Sequence, residues 1–77
     1  MIVDYEVDIV ELKKMMIENH IDTIEQLSEK TGVNRKTLSE ILSGQSYPGT
    51  MVMKKISTAM GLQNDTVGRI FFKEVLA

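Results

Sequence analysis

TIEQLSEKTGVNRKTLSEILSG, residues 23–44, reads as two short helices folded across a tight turn, and the remainder of the chain reads as their support. Thr23 is a good N-cap, because its hydroxyl can accept from a backbone N–H of the first turn. Gln26 stands three places on, where it can complete a capping box, so a helix starts near Ile24. Ile24 and Leu27 fall on one side of it with small Ser28 beside them, and Glu25, Glu29 and Lys30 fall on the other. Gly32 follows where a helix stops with a left-handed residue, a conformation glycine adopts without steric cost. Val33 can plug the corner. Asn34 then caps a second helix, RKTLSEILS, in which Leu38, Ile41 and Leu42 share one face, and Gly44 ends it.

The other side of that second helix carries Arg35, Lys36, Ser39 and Glu40, since these must point away from Leu38, Ile41 and Leu42. A helix that fits the major groove of B-DNA and offers Arg and Lys from its first turn suits the reading of base edges. Arginine bidentate to guanine is the strongest such pairing. Double-stranded DNA is therefore the expected partner, with Arg35, Lys36, Ser39 and Glu40 as the base-reading set.

These residues also carry a family resemblance. Thr23, Leu27, Ser28, Gly32, Val33, Leu38, Ser39, Ile41 and Gly44, followed by Pro48 and MKKISTAMGL, resemble the Cro/C1-type (Xre, lambda repressor-like) helix-turn-helix family from roughly Leu12 to Val67. The resemblance implies an all-α, five-helix DNA-binding domain with a short extended N-terminal arm. It implies a recognition helix over residues 35–43 lying in the major groove, with Arg35, Lys36 and Glu40 on base-reading positions and Asn34 and Ser39 close by. Thr23, Gln26, Asn34, Ser43, Gln45 and Ser46 are the candidates for contact with the DNA backbone. The function implied is a sequence-specific transcriptional regulator of the phage Cro or repressor kind, acting as a homodimer on a roughly palindromic operator. One departure stands out: Ile24 occupies the place where family members usually have a Gln that clamps the DNA backbone, and Gln26, two residues on, is not a geometric substitute for it.

Composition narrows the alternatives. Seventy-seven residues make one small domain, near the lower limit for a core without staples. The absence of cysteine removes disulfides and thiolate metal sites, and the lone His20 cannot build a metal cluster, so neither metal nor cofactor is expected. There are no paired carboxylates near a histidine, no Gly-rich phosphate loop and no thiol, so nothing supplies a nucleophile with its base and the chain reads as a non-enzyme. No apolar run approaches membrane-spanning length, and the N-terminus MIVDYEVD is acidic where a secretory signal would be basic, which points to the cytoplasm. The net charge of −2 counts against nucleic acid, but its distribution softens this. Residues 1–22 hold six acids against two lysines, residues 23–50 hold three of each sign, and residues 51–77 hold four bases against two acids.

Around the motif, Met1–Val7 alternates apolar and acidic residues with a strand-like period of two and is expected as an arm lying over the core or as a dimer-forming strand. Asp8 can cap a helix through IVELKKMMIEN, with Ile9, Leu12, Met16 and Ile17 inward and Glu11, Lys13, Lys14 and Glu18 in water. His20 near its end is read as a solvated or dipole-stabilised residue. QSYPG after Gly44 is a turn-rich loop, either a plain connector or a clamp whose N–H groups and Gln45 and Ser46 side chains meet phosphate. Thr50 is expected to cap a helix whose Val52, Met53, Ile56, Ala59 and Met60 form the buried stripe and whose Lys54 and Lys55 stay outside. Gly61 ends it. Asn64 or Asp65 then caps a last segment, TVGRIFFKEVLA, whose helicity Gly68 weakens by about 1 kcal/mol. This segment, residues 65–77, is expected both to complete the core and to dimerise, with Phe71 inward and Ile70, Phe72, Val75 and Leu76 as the dimer set.

A second reading belongs to another class: a protein-binding module of the same fold, such as an antirepressor or an antitoxin, that does not read DNA. The acidic balance, Ile24 and the apolar C-terminal segment motivate it. An exposed Ile24 would favour it, and a buried one would be neutral.

Overall fold

The computed structural model describes residues 3–76, with the side chains of Val3 and Leu76 left aside. The order of elements is strand β1 (Val3–Glu6), helices α1 (Ile9–Glu18), α2 (Ile24–Thr31), α3 (Arg35–Leu42), α4 (Thr50–Ala59) and α5 (Asn64–Phe71), and strand β2 (Lys73–Leu76). The architecture is the all-α, five-helix one that the motif implied, with one addition described below.

The first three helices begin at side-chain caps. The Asp8 carboxylate accepts from Glu11 N–H at 3.1 Å and starts α1. Thr23 and Gln26 form the full capping box of α2: Gln26 N–H donates to Thr23 Oγ1 at 3.1 Å, and Thr23 N–H donates back to Gln26 Oε1 at 3.2 Å. Asn34 Oδ1 accepts from Lys36 N–H at 2.7 Å and opens α3. The fourth helix differs from expectation. Its N-cap is Gly49, and Thr50 already lies in the first turn with no side-chain cap. Similarly, Gln63 rather than Asn64 or Asp65 caps α5, again without a side-chain bond.

The core draws on every helix. Leu12 and Met16 of α1, Leu27 of α2, Leu38 and Ile41 of α3, Met53 and Ile56 of α4, and Ile70 and Phe71 of α5 are buried, joined by Ile21, Val33 and Met60 from the helix ends and turns. On α1 the buried stripe runs one step round from the one read in the sequence. Ile17 is 68% exposed, and Met15 packs against the core in its place. Ile9, Leu12, Met15 and Met16 satisfy the helical repeat equally well, and sequence spacing alone does not choose between the two flanks.

The addition is at the ends of the chain. The C-terminal segment does not continue as helix: α5 stops at Phe71, Phe72 leaves helical geometry at φ −121°, ψ 44°, and Lys73–Leu76 runs as a strand. That strand pairs antiparallel with β1, in the register Val3 with Leu76, Asp4 with Val75, Tyr5 with Glu74 and Glu6 with Lys73. The N-terminal arm thus finds its partner inside the same chain. Cross-strand contacts support the pairing, with Lys73 Nζ 3.7 Å from Glu6 Oε1 and the rings of Tyr5 and Phe72 edge to face at 5.5 Å. A further bond from Asp8 N–H to the Ile70 carbonyl, at 2.6 Å, ties the start of α1 to the end of α5.

This ending also divides the apolar residues of the last segment. Ile70 and Phe71 are completely buried, each contributing about 1.5–3 kcal/mol of burial in a domain whose total stability is of order 5–15 kcal/mol. Ile70 is therefore part of the core and presents no surface to a second copy, a correction to its place in the expected dimer set.

Candidate nucleic-acid interface

The α2–α3 pair is held at a fixed angle by three local devices. Gly32 takes φ +74°, ψ 10°, the left-handed turn its position called for. Ser28 donates its hydroxyl to the Val33 carbonyl at 2.6 Å, so its small size serves close approach and its oxygen pins the corner. Thr31 is buried: its hydroxyl donates to the Leu27 carbonyl at 2.7 Å and accepts from Val33 N–H at 3.1 Å. Thr31 had no signal in the sequence, since a threonine in a last helical turn looks like any exposed polar residue.

With Leu38 and Ile41 turned into the core, α3 presents Arg35, Lys36 and Ser39 outward and exposed, and Glu40 half-buried beside them. All four candidate base-reading residues therefore share the outer side of one helix. Arg35 is not free of partners: its Nη1 lies 3.5 Å from Glu25 Oε1, with both side chains largely exposed. Lys36 has no acidic partner among the described residues.

The candidate backbone-contacting residues divide by how much of their polar capacity is already engaged. The oxygens of Thr23, Gln26 and Asn34 accept the capping bonds of α2 and α3. Ser43 donates its hydroxyl to the Glu40 carbonyl at 3.1 Å. That same carbonyl accepts from Gln45 N–H at 2.9 Å and Ser46 N–H at 3.2 Å. The Gln45 and Ser46 N–H groups are thus engaged in closing α3, where the sequence reading had left them open to phosphate, and the side chains of both residues stay exposed. The loop is anchored further along: the Tyr47 hydroxyl donates to the Phe71 carbonyl. Burial, and secondarily the nearby Tyr5 phenol, push the Tyr47 pKa above its ordinary value.

Ile24 is half-buried and packs against the core, on the wall of a groove that also takes in Ile17, Ser39 and Leu42. Of the remaining dimer candidates, Phe72 and Val75 are exposed beside or on the terminal ribbon, and Leu76 pairs through its backbone with Val3. Among the described residues there is no group of three or more metal-ligating side chains, and no helix is long and apolar enough to cross a membrane.

Two short helices locked across a left-handed glycine, the second carrying cations on its outer first turn, define a helix-turn-helix protein. The family model of the Cro/C1-type HTH DNA-binding domain matches residues 11–67, well over half of the chain, and the chain belongs to that family. No match is found among curated proteins or among solved structures. The matched span begins inside α1 and ends inside α5, so both strands of the terminal ribbon lie outside it.

Proposed function

We propose that this DNA-binding domain reads a specific duplex sequence with α3 in the major groove and regulates transcription by occupying its operator, in the manner of the small phage Cro and repressor proteins. The observation that carries the reading is the placement of Arg35 and Lys36 together on the exposed first turn of α3, opposite the buried face of Leu38 and Ile41. Arg35 reads guanine, Lys36 and Ser39 flank it, and Glu40 faces the neighbouring base pair. Gln45, Ser46 and the amide of Gln26 approach the flanking phosphates. Thr23, Asn34 and Ser43 shape the helix ends from which these contacts are made.

The acting form is a homodimer. Half-sites one turn of B-DNA apart require recognition helices about 34 Å from each other. A body of 39 × 25 × 21 Å can meet that spacing with two copies side by side. Exposed Phe72 beside the ribbon and Val75 on it are the proposed surface between copies, with Leu76 as the third candidate. The cytoplasm, where DNA is reached without crossing a membrane, is the proposed place of action. The protein-binding alternative, an antirepressor or antitoxin, is motivated by the acidic balance, Ile24 and the apolar C-terminal segment, and the half-buried packing of Ile24 adds nothing to it.

The test is selection from a random duplex library at two salt concentrations, with the wild type beside an Arg35→Ala, Lys36→Ala double variant. Enrichment of a palindrome with a steep salt dependence, lost in the double variant, is the expected result. Arg35→Ala alone should cost about 1–3 kcal/mol at the selected site and relax preference at one base position. A wild type that enriches no sequence at low salt would refute the reading.

A further inference from the structure

Resting on the DNA-reading function above, we propose that Glu25 is a positioning residue for Arg35, holding its guanidinium for base contact and opposing its diversion to phosphate. The contact crosses the motif: Glu25 stands in the first turn of α2 and Arg35 in the first turn of α3, with Oε1 and Nη1 3.5 Å apart. Neither end of this bridge is loose at its root. The first turn of α2 is fixed by the reciprocal bonds of Thr23 and Gln26, and the corner between the helices is fixed by the Ser28 bond to Val33. A carboxylate in the first turn also sits at the positive end of the helix dipole, which favours its charge there.

The chemistry of the pair follows from the shape of guanidinium. It carries five N–H donors in a planar fork, and the Glu25 carboxylate approaches it at Nη1. The other edge of the fork remains for the two acceptors of guanine, N7 and O6. Arginine can thus contact Glu25 and guanine together, whereas swinging out to a phosphate breaks the pair and leaves Glu25 beside the negative backbone. The carboxylate penalises the sequence-independent mode and leaves the base-reading mode intact. Lys36, with no acidic partner among the described residues, is under no such constraint.

Because the pair is 65% and 72% exposed, its strength in the free protein lies in the range of about 0–1 kcal/mol, or up to about fivefold. The experiment measures binding of the full chain to its selected duplex, to the same duplex changed at the Arg35-dependent base pair, and to a scrambled duplex. Wild type, Glu25→Gln, Arg35→Ala and the double variant are compared, with melting curves to confirm folding. Glu25→Gln should bind the scrambled duplex about two- to fivefold more tightly and lose about two- to fivefold of its preference at that one base pair. In the Arg35→Ala background the same change should leave base preference unaltered. Unchanged preference in Glu25→Gln, or an equal loss with and without Arg35, would overturn the assignment while the DNA-reading function stood. A wild type with no selected duplex would overturn both.

Discussion

Replacing glycine by alanine should move the stability of this protein in opposite directions at two positions, and the backbone sets the sign. At Gly32 a Cβ would meet no atom within 4 Å, so the cost comes entirely from φ +74°. A left-handed L-residue costs roughly 1–2 kcal/mol, partly offset by about 0.4–1 kcal/mol from the stiffer unfolded chain, for a net loss of up to about 1.6 kcal/mol. Gly68 also has no atom within 4 Å of its virtual Cβ, but it lies inside α5 and outside the left-handed region. There alanine should gain about 0.5–1 kcal/mol from helix propensity and chain entropy. At about 4–8 °C per kcal/mol for a domain of this size, Gly32→Ala should lower Tm by up to roughly 13 °C and Gly68→Ala should raise it by roughly 2–8 °C. Thermal unfolding followed by far-ultraviolet circular dichroism reads both. Gly32→Val should fall below Gly32→Ala, since branching at Cβ adds crowding in that conformation. Two shifts of the same sign would show that the turn at Gly32 is not the constraint described here.

The anchoring of the loop after α3 can be tested at Tyr47, where Tyr47→Phe removes the hydroxyl bond to the Phe71 carbonyl and should cost about 0.5–1.5 kcal/mol in denaturant unfolding. Its titration gives a second check. Burial, then Tyr5, raises the Tyr47 pKa in the folded state, so below the ordinary tyrosine value of about 10 the residue is neutral in both states and its contribution is complete. As pH climbs past that value the unfolded chain releases the proton first and stability falls, a fall that Tyr47→Phe should make shallower. His20 is the sole non-glycine at positive φ among the described residues, at 59°, where it closes α1. His20→Gly should raise stability by up to about 1 kcal/mol in the same unfolding experiment, and a loss would show that the imidazole has a favourable role there.

The motif was legible because its chemistry is local. Thr23, Gln26, Gly32 and Asn34 each satisfy or turn a backbone group within three residues, and those rules operate before any tertiary contact exists. The inward faces of α3 and α4 were legible for the same reason, since period 3.6 with Leu38, Ile41, Met53 and Ile56 admits one core-facing side. What escaped was decided by distant partners. Lys73–Leu76 is strand because Val3–Glu6 is there to receive it, and neither tetrapeptide names the other. The engagement of the Gln45 and Ser46 N–H groups depends on how α3 ends. Ile17 and Met15 differ by a small rotation of α1 that only the packed neighbours resolve. On the site itself, the outward set of Arg35, Lys36 and Ser39 followed from helix geometry, but the reach of Glu25 to Arg35 required the crossing angle of two helices.

The pairing of the two ends has a mechanical consequence. Val3 faces Leu76 at the open mouth of the ribbon, and Glu6 faces Lys73 nearest the helices. A force that pulls the termini apart acts on the mouth and peels the pairs one after another, as a zipper opens, so each step breaks few bonds and needs little load. Only when the last pair has parted does tension reach α1 and α5 and, through them, the core. The ribbon therefore behaves as a fuse in series with the helical body: a load applied between the two ends would open it first while the five helices stay folded.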